Sequence, residues 1–230
     1  MSNPTISVIL PIYNQADHVE PIVTAYREHL QKVPATTEII LVPNGSSDRS
    51  EETCHSLARK FDNVRTLSVQ EGGWGIAVRR GLGTANGDIL CYTNSARTSP
   101  EELVLMLLYA VAYPQVVVKA NRKVRESARR RLGSLLYNLE CRTLFDLSYW
   151  DINGTPKVFP RRFDKLLGLT RNDDLIDLEF NVICRKMNYP VVEVPIFSSR
   201  RHGGKSTTTY LSAVHLYLGA YTMWRAQKSN

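Results

Sequence analysis

The run TISVILPIY, residues 5–13, is apolar at nearly every position rather than at every second one. A strand with one wet face alternates, whereas a continuously apolar run belongs to a strand covered on both faces, as in a parallel sheet between two layers of helices. The pattern recurs in EIILV (38–42) and in most of DILCYT (88–93), and NVRTLSV (63–69) reads as a further, less apolar strand. Between these runs lie segments of helical pattern: about Asp17 to Gln31, SSDRSEETCHSLARKF (46–61) with Ser46 or Ser47 as the expected N-cap, and GIAVRRGLGTA (75–85). Strands spaced by helical segments imply right-handed βαβ units. The expected fold class is therefore α/β, a mostly parallel central sheet with helices on both faces.

The second half is less regular. PEELVLMLLYAVA (100–112) reads as a helix with Pro100 in its first turn, and QVVVKA (115–120) as a strand. A basic segment with Lys119, Arg122, Lys123, Arg125, Arg129, Arg130 and Arg131 leads into a long helix with an apolar stripe at Leu132, Leu135, Leu136, Leu139, Leu144 and Phe145. Then follow a loop, WDINGTPKVFPRR (150–162), a helix around DLIDLEFNVICRKM (174–187), a strand VVEVPIF (191–197) and a polar loop, SSRRHGGKSTTT (198–209). The last helix carries Tyr210, Val214, Tyr217, Tyr221 and Trp224 on one stripe. No linker separates two domains. Residues 1–206 are expected to form one domain, and 207–230 a helix packed on it or lying at a membrane or dimer interface.

The 29 Lys and Arg outnumber the 22 Asp and Glu, a formal charge of +7 that favours anionic partners. Nucleic acid is the weaker match, because no aromatic-rich stacking strand or reading helix accompanies the charge. Cys54, Cys91, Cys141 and Cys184 have no metal-ligand spacing, which argues against a zinc site and suits a reducing cytoplasm. The N-terminal residues lack a basic n-region and cleavage signal, and no run of ~18 apolar residues appears, so the expected location is the cytoplasm or the cytoplasmic face of a membrane.

Three turns at strand ends stand out: LPIYN (10–14), VPNGSSDRS (42–50) and EGGWGIAVRRG (71–81). Asn44-Gly45 supplies a turn before a helix, and glycines such as Gly73 ahead of a helix let a ligand approach the backbone. The glycine spacing lacks the dinucleotide fingerprint. Followed by GDIL and a polar loop, and later by YWDINGTPKVFPRR, IDLEFN and EVPIFSSRRHGGKS, this ordered set resembles family 2 glycosyltransferases of the GT-A fold, in particular their dolichol- or polyprenyl-phosphate branch, over roughly residues 5–206. The resemblance implies that Pro11, Tyr13 and Asn14 line a nucleotide pocket, with Asn44, Ser46 and Asp48 beside base and ribose. It also matches Arg201, Gly204 and Ser206 to the family's R-x-x-G-x-S. The chain departs from the family's acidic pair with Pro43-Asn44; Asn44 can still donate to and accept from a base edge.

A second departure is sharper. The family's metal-binding Asp-x-Asp aligns with Asn94-Ser95-Ala96, and neutral side chains are poor ligands for Mg²⁺ or Mn²⁺. The alternatives are a dead enzyme that only binds nucleotide sugar, a metal held elsewhere, for example by Asp88 or Asp151, and catalysis that requires no metal. The third is favoured on charge. Two carboxylates and a divalent cation place about zero net charge beside a diphosphate, whereas neutral residues plus Arg97 place about +1. A guanidinium also offers a planar fork to phosphate oxygens.

The remaining candidates are Lys119 and Arg122 for an acceptor phosphate, Lys157 in the polar loop, Asp151 for the acceptor or for loop orientation, and Asp177 or Glu179 as an acid. The last two lie on one helix about 200° apart, so both cannot face one ligand, and Glu179 matches the family's position slightly better. A phosphate monoester, with a second pKa near ~6, needs no general base. The expected function is transfer of a sugar, with inversion by resemblance, from a nucleotide-diphospho-sugar donor to a polyprenyl-phosphate or other anionic acceptor. Peripheral membrane contact and a homodimer are compatible partners. The alternative is a catalytically inactive nucleotide-sugar-binding protein.

Overall fold

The computed structural model describes residues 3–124, 128–197 and 210–228. Arg201, Gly204 and Ser206 lie outside the described residues. The strands are β1 (Thr5–Ile12), β2 (Thr36–Pro43), β3 (Val64–Thr66), β4 (Ile89–Tyr92), β5 (Val117–Arg122), β6 (Lys157–Pro160) and β7 (Val191–Ile196). They form one sheet in the order β3-β2-β1-β4-β6-β5-β7. All neighbours pair parallel except β6, which runs antiparallel to both β4 and β5.

The helices are α1 (Val19–Leu30), α2 (Ser50–Lys60), α3 (Trp74–Thr84), α4 (Pro100–Ala112), α5 (Ala128–Phe145), α6 (Ile176–Lys186) and α7 (Tyr210–Lys228). The pleat of β1 sends Val8, Leu10 and Ile12 into a core shared with α1, α2 and α4, and Ile9 into a core shared with α3 and α6. A third cluster joins Tyr137, Cys141 and Phe145 of α5 to Leu178 and Val182 of α6 and Ala220 of α7. The doubly covered α/β sheet thus matches the expected class.

Three local expectations need correction. The helix after β2 begins at Ser50, not beside Ser46 or Ser47. Asp48 accepts from the Ser50 amide at 2.9 Å, while the Ser46 hydroxyl accepts from the Asn14 amide at 3.2 Å. The segment read as a loop, 150–162, contributes β6 to the middle of the sheet. Proline at 156 and 160 hides it, because proline is rare in central strands. The apolar stripe of α5 also divides. Phe145 is buried and Leu144 partly so, but Leu132, Leu135, Leu136 and Leu139 face outward, each about half exposed. On α7, Tyr217 and Trp224 pack inward, whereas Val214, Leu218 and Tyr221 are exposed.

α3 lies close on the sheet because Gly81 has no side chain. A Cβ there would stand 2.3 Å from Ile9 Cγ2 and 3.2 Å from Val42 Cγ2. Glycine in a helix interior normally forfeits about 1 kcal/mol against alanine. Here the overlap with a stiff, β-branched core residue reverses the sign. Gly81→Ala is expected to lower the unfolding free energy by about 1–2 kcal/mol, read from the urea midpoint; an unchanged or higher midpoint would show that the helix can lift off at no cost.

Candidate active site

Strand order reverses between β1 and β4, since the chain steps outward one way to β2 and β3 and the other way beyond β4. In open α/β sheets ligands bind in the crevice outside the carboxyl ends of the strands at such a switch point. The turns after β1, β2 and β4 and the start of α3 meet there.

The turn after β1 is fastened to the turn after β2. Asn14, at φ 49°, accepts from the Ser47 amide through Oδ1 at 2.8 Å, and Asp48 accepts from the Ala16 amide at 3.1 Å. Burial alone would raise the Asp48 carboxyl, but hydrogen bonds from Ser50 and Ala16 outweigh it and hold the group below its usual range. Asn44 is buried and donates to the carbonyls of Ile12 and Val42 at 2.9 and 3.1 Å while its oxygen accepts from the Gly73 amide at 3.0 Å. Its amide is therefore engaged with backbone, and the expectation that it reads a base edge is not what the geometry offers. Gly45, at φ 56°, passes so close to the glycine turn that a Cβ would meet Gly72 N at 2.6 Å. Pro11 lies buried within β1, and Tyr13, 42% exposed, is the residue of that turn that faces outward.

The turn after β4 folds on itself. Asn94 Oδ1 accepts from the Ala96 amide at 3.0 Å, and its carbonyl accepts from the amides of Arg97 and Thr98. Ser95 is fully buried and donates to Gln15 Oε1 at 2.7 Å. The His18 ring approaches the Ser95 carbonyl at 3.3 Å, and Tyr26 donates to the Thr98 carbonyl at 2.8 Å. Arg97 stands half-buried at the turn. This donor set does not suit a divalent metal, because the buried hydroxyls of Thr93, Ser95 and Thr98 and the side-chain oxygen of Asn94 are engaged and residues 93–98 include no carboxylate. The other acids considered do not supply a site. Asp88 accepts from Thr5 N and Oγ1 at 2.9 and 2.8 Å, at the opposite end of the sheet, and Asp151 is paired with Arg122. Among the described residues, no three acids, histidines or cysteines cluster as metal ligands.

Behind the crevice lies a row of cation–carboxylate pairs. Lys157 opens β6 opposite Tyr92, is fully buried, and pairs with Asp177 at the start of α6. Asp177 also accepts from Tyr92 Oη at 2.9 Å and from Trp74 Nε1 at 3.1 Å. Burial, opposed by Asp177, pushes the Lys157 ammonium down to about 8. Burial and the adjacent carboxylate raise the Tyr92 hydroxyl. Lys119, also fully buried, pairs with Glu193 of β7 at 3.0 Å and donates to the Trp150 carbonyl. Arg122 grips Asp151 with Nε and Nη2 at 2.8 and 2.7 Å, and Asp151 is held at φ 48°. Burial opposes the Arg122 charge, but Asp151 more than compensates and raises its affinity for the proton.

The expectation was an acceptor phosphate for Lys119 and Arg122, the site or solvent for Lys157, and either the acceptor or loop orientation for Asp151. The structure instead places them in pairs that brace the site floor. Glu179 points away from Asp177 and accepts from the Thr170 and Arg171 amides at 2.9 to 3.0 Å, bracing the loop before α6. Residues not singled out from sequence are Gln15, His18, Tyr92, Trp74 and Glu193. Asp174, beside Asp173 and Asp177, was also missed; although the residue as a whole reaches solvent, desolvation of its carboxyl by the surrounding protein and the charges of Asp177 and Asp173 raise its pKa. Trp74 and Tyr92 sat inside quoted motifs, but nothing in their spacing marks them as partners of Asp177.

The fold is that of GT-A glycosyltransferases. Glucosyl-3-phosphoglycerate synthase from Mycobacterium tuberculosis, in complex with uridine diphosphate, aligns with a TM-score of 0.73 over 96% of this chain and 80% of that one, at 16% identity. Its complex with Mn²⁺, uridine diphosphate and glucosyl-3-phosphoglycerate gives 0.69 over the same shares, at 18% identity. Residues 7–167 match the family model described as glycosyl transferase family 2, and the chain belongs to that family. Among curated relatives, the undecaprenyl-phosphate 4-deoxy-4-formamido-L-arabinose transferase of Pectobacterium carotovorum is 26% identical over 217 residues, covering 92% of this chain. That of Salmonella choleraesuis is 21% identical over 215 residues. The chain spans 64% of the length of these relatives.

Removing one partner of a buried ion pair leaves the other uncompensated. Lys157→Met is expected to lower the unfolding free energy by about 3–5 kcal/mol, measured by denaturant titration. The pH dependence has a definite sign. A lysine held at about 8 in the folded chain and near ~10.4 when unfolded leaves the unfolded state with more protons between those values. Wild type should therefore gain stability relative to the variant as pH rises through that window. A difference that is flat or falls with pH would contradict a depressed Lys157.

Proposed function

We propose that the chain transfers a sugar from a nucleotide-diphospho-sugar to a polyprenyl-phosphate acceptor, and that it does so without a divalent metal at the Asp-x-Asp position. Family membership over residues 7–167 and the names of the curated relatives support the donor and acceptor classes. The single structural observation behind the metal-free step is the turn Asn94–Arg97, which lies at the switch point, carries a guanidinium and has no carboxylate among its own residues. An acceptor phosphate oxygen attacks the anomeric carbon, and the bond from that carbon to the donor diphosphate breaks. The electron pair leaves on the diphosphate, where Arg97 stabilises the developing charge. The nucleophile is already ionised, so no proton has to be removed.

A lipid acceptor also accounts for the outward apolar faces of α5 and α7. Leu132, Leu135, Leu136 and Leu139, with Val214, Leu218 and Tyr221, lie near the basic residues Arg131, Arg225 and Lys228 along the same helices. Such a pattern suits contact with the plane of an anionic bilayer. No helix among the described residues is long and apolar enough to cross one.

Transfer of radiolabelled sugar to undecaprenyl phosphate is expected to survive EDTA, and Arg97→Ala to lower kcat by about 10²–10³. Loss of all activity in EDTA with recovery in Mn²⁺ would sink the metal-free step. No transfer and no donor hydrolysis, with nucleotide binding retained, would favour the inactive binding protein. An acceptor hydroxyl would instead need a base. Asp174→Asn is expected to change kcat by less than about threefold, whereas loss of a general base would remove about 10²–10⁴.

A further inference from the structure

We infer that Trp74 is the platform for the sugar ring of the donor, and that Asp177 acts through it as a positioning residue. The inference rests on the donor class proposed above and adds a subsite to it. Trp74 opens α3 directly after the Gly72-Gly73 turn. That turn stands at the mouth of β1 and β2. A Cβ on Gly72 would lie 3.8 Å from Tyr13 Cε2, and Gly73 N is bonded to Asn44. On its other side the indole meets Tyr92, the last residue of β4, edge-on with centroids 6.2 Å apart. The ring therefore lies between the ends of β2 and β4, beside the strand junction where the diphosphate would sit.

Its orientation is set by chemistry rather than by packing alone. The indole N–H donates to Asp177 Oδ2 at 3.1 Å, and Asp177 is itself fixed by Lys157 and Tyr92. One edge of the indole is thus tied inward, yet the residue remains only half-buried. Part of the indole packs against the core beneath α3 and α6, and the part left accessible, held rigid beside a polar turn, suits a ligand that is apolar on one face and polar at its rim. A pyranose ring meets that description, because one face presents a run of C–H bonds while its hydroxyls point outward. A bare nucleoside diphosphate has nothing to place there.

The full chain can be titrated calorimetrically with UDP, GDP, CDP and dTDP and with their glucose conjugates. For the base that binds, Trp74→Ala is expected to weaken the glucose conjugate about tenfold and the bare diphosphate less than about twofold. Trp74→Phe, which keeps a ring, should restore binding of the conjugate to within about threefold of wild type. In the wild type, glucose-conjugate binding should change tryptophan fluorescence, and in Trp74→Phe that change should vanish although binding persists. Asp177→Asn should raise KM for the sugar nucleotide more than it lowers kcat. Equal weakening of both ligands, or no weakening, overturns the platform. A fluorescence change that persists in Trp74→Phe also overturns it, and does so even if Trp74→Ala fails to fold. If no nucleotide of the panel binds wild type, the donor reading itself falls, an outcome distinct from failure of the subsite.

Discussion

The buried pair of Lys157 and Asp177 is the constraint on which the site depends. It links the first residue of β6 to the first turn of α6, and through Tyr92 and Trp74 it reaches β4 and α3. Two ions taken out of water repay their desolvation only with close geometry and further hydrogen bonds. Here Asp177 has such bonds from a phenol and an indole. The pair fixes the relative position of four elements at the carboxyl end of the sheet.

The same logic extends along the floor. Lys119 with Glu193 and Arg122 with Asp151 continue the row, so each interior cation is matched by an acid. This changes how the chain's net positive charge bears on its chemistry. The lysines and arginine nearest the strand ends add little net field, because their partners cancel them. The turn after β4 is held by the bonds of Ser95 to Gln15 and of the Ala96 amide to Asn94, and residues 94–97 themselves include no acid. In the proposed reaction, Arg97 and the backbone dipoles of that turn would face the leaving diphosphate.

Much of the frame was legible from residues alone. Continuous apolar runs announced β1, β2 and β4, because doubly covered strands carry no polar face. The helix at 100–112 was readable from Pro100, and the structure adds a capping box between Ser99 and Glu102. β6 was not legible, since a strand of four residues that follows one proline and ends in another carries no periodicity, and its neighbours lie tens of residues away. Site residues divided in the same way. Tyr13, Asn14 and the 94–97 turn could be placed at strand ends from local sequence. The partners of Lys119, Arg122 and Lys157 could not, because an ion pair across a sheet leaves no local pattern. Asp177 and Glu179 could be separated by helix geometry, but which of them faced inward depended on α3 and β6.

The antiparallel insertion of β6 also constrains how the chain reaches this state. β4 and β5 are not neighbours; β6 fills the place between them, and β7 pairs with β5 alone. While the chain emerges from its N-terminus, β1 to β4 can assemble, but β4 must wait with one edge unpaired until residues 157–160 arrive. An unpaired edge beside apolar runs such as ILCY is open to wrong partners. Pairing of residues 157–160 with β4 and β5 completes the middle of the sheet, and the same strand carries Lys157 to Asp177. An interior strand of the sheet and the floor of the site therefore share residues, so a disturbance of β6 reaches both.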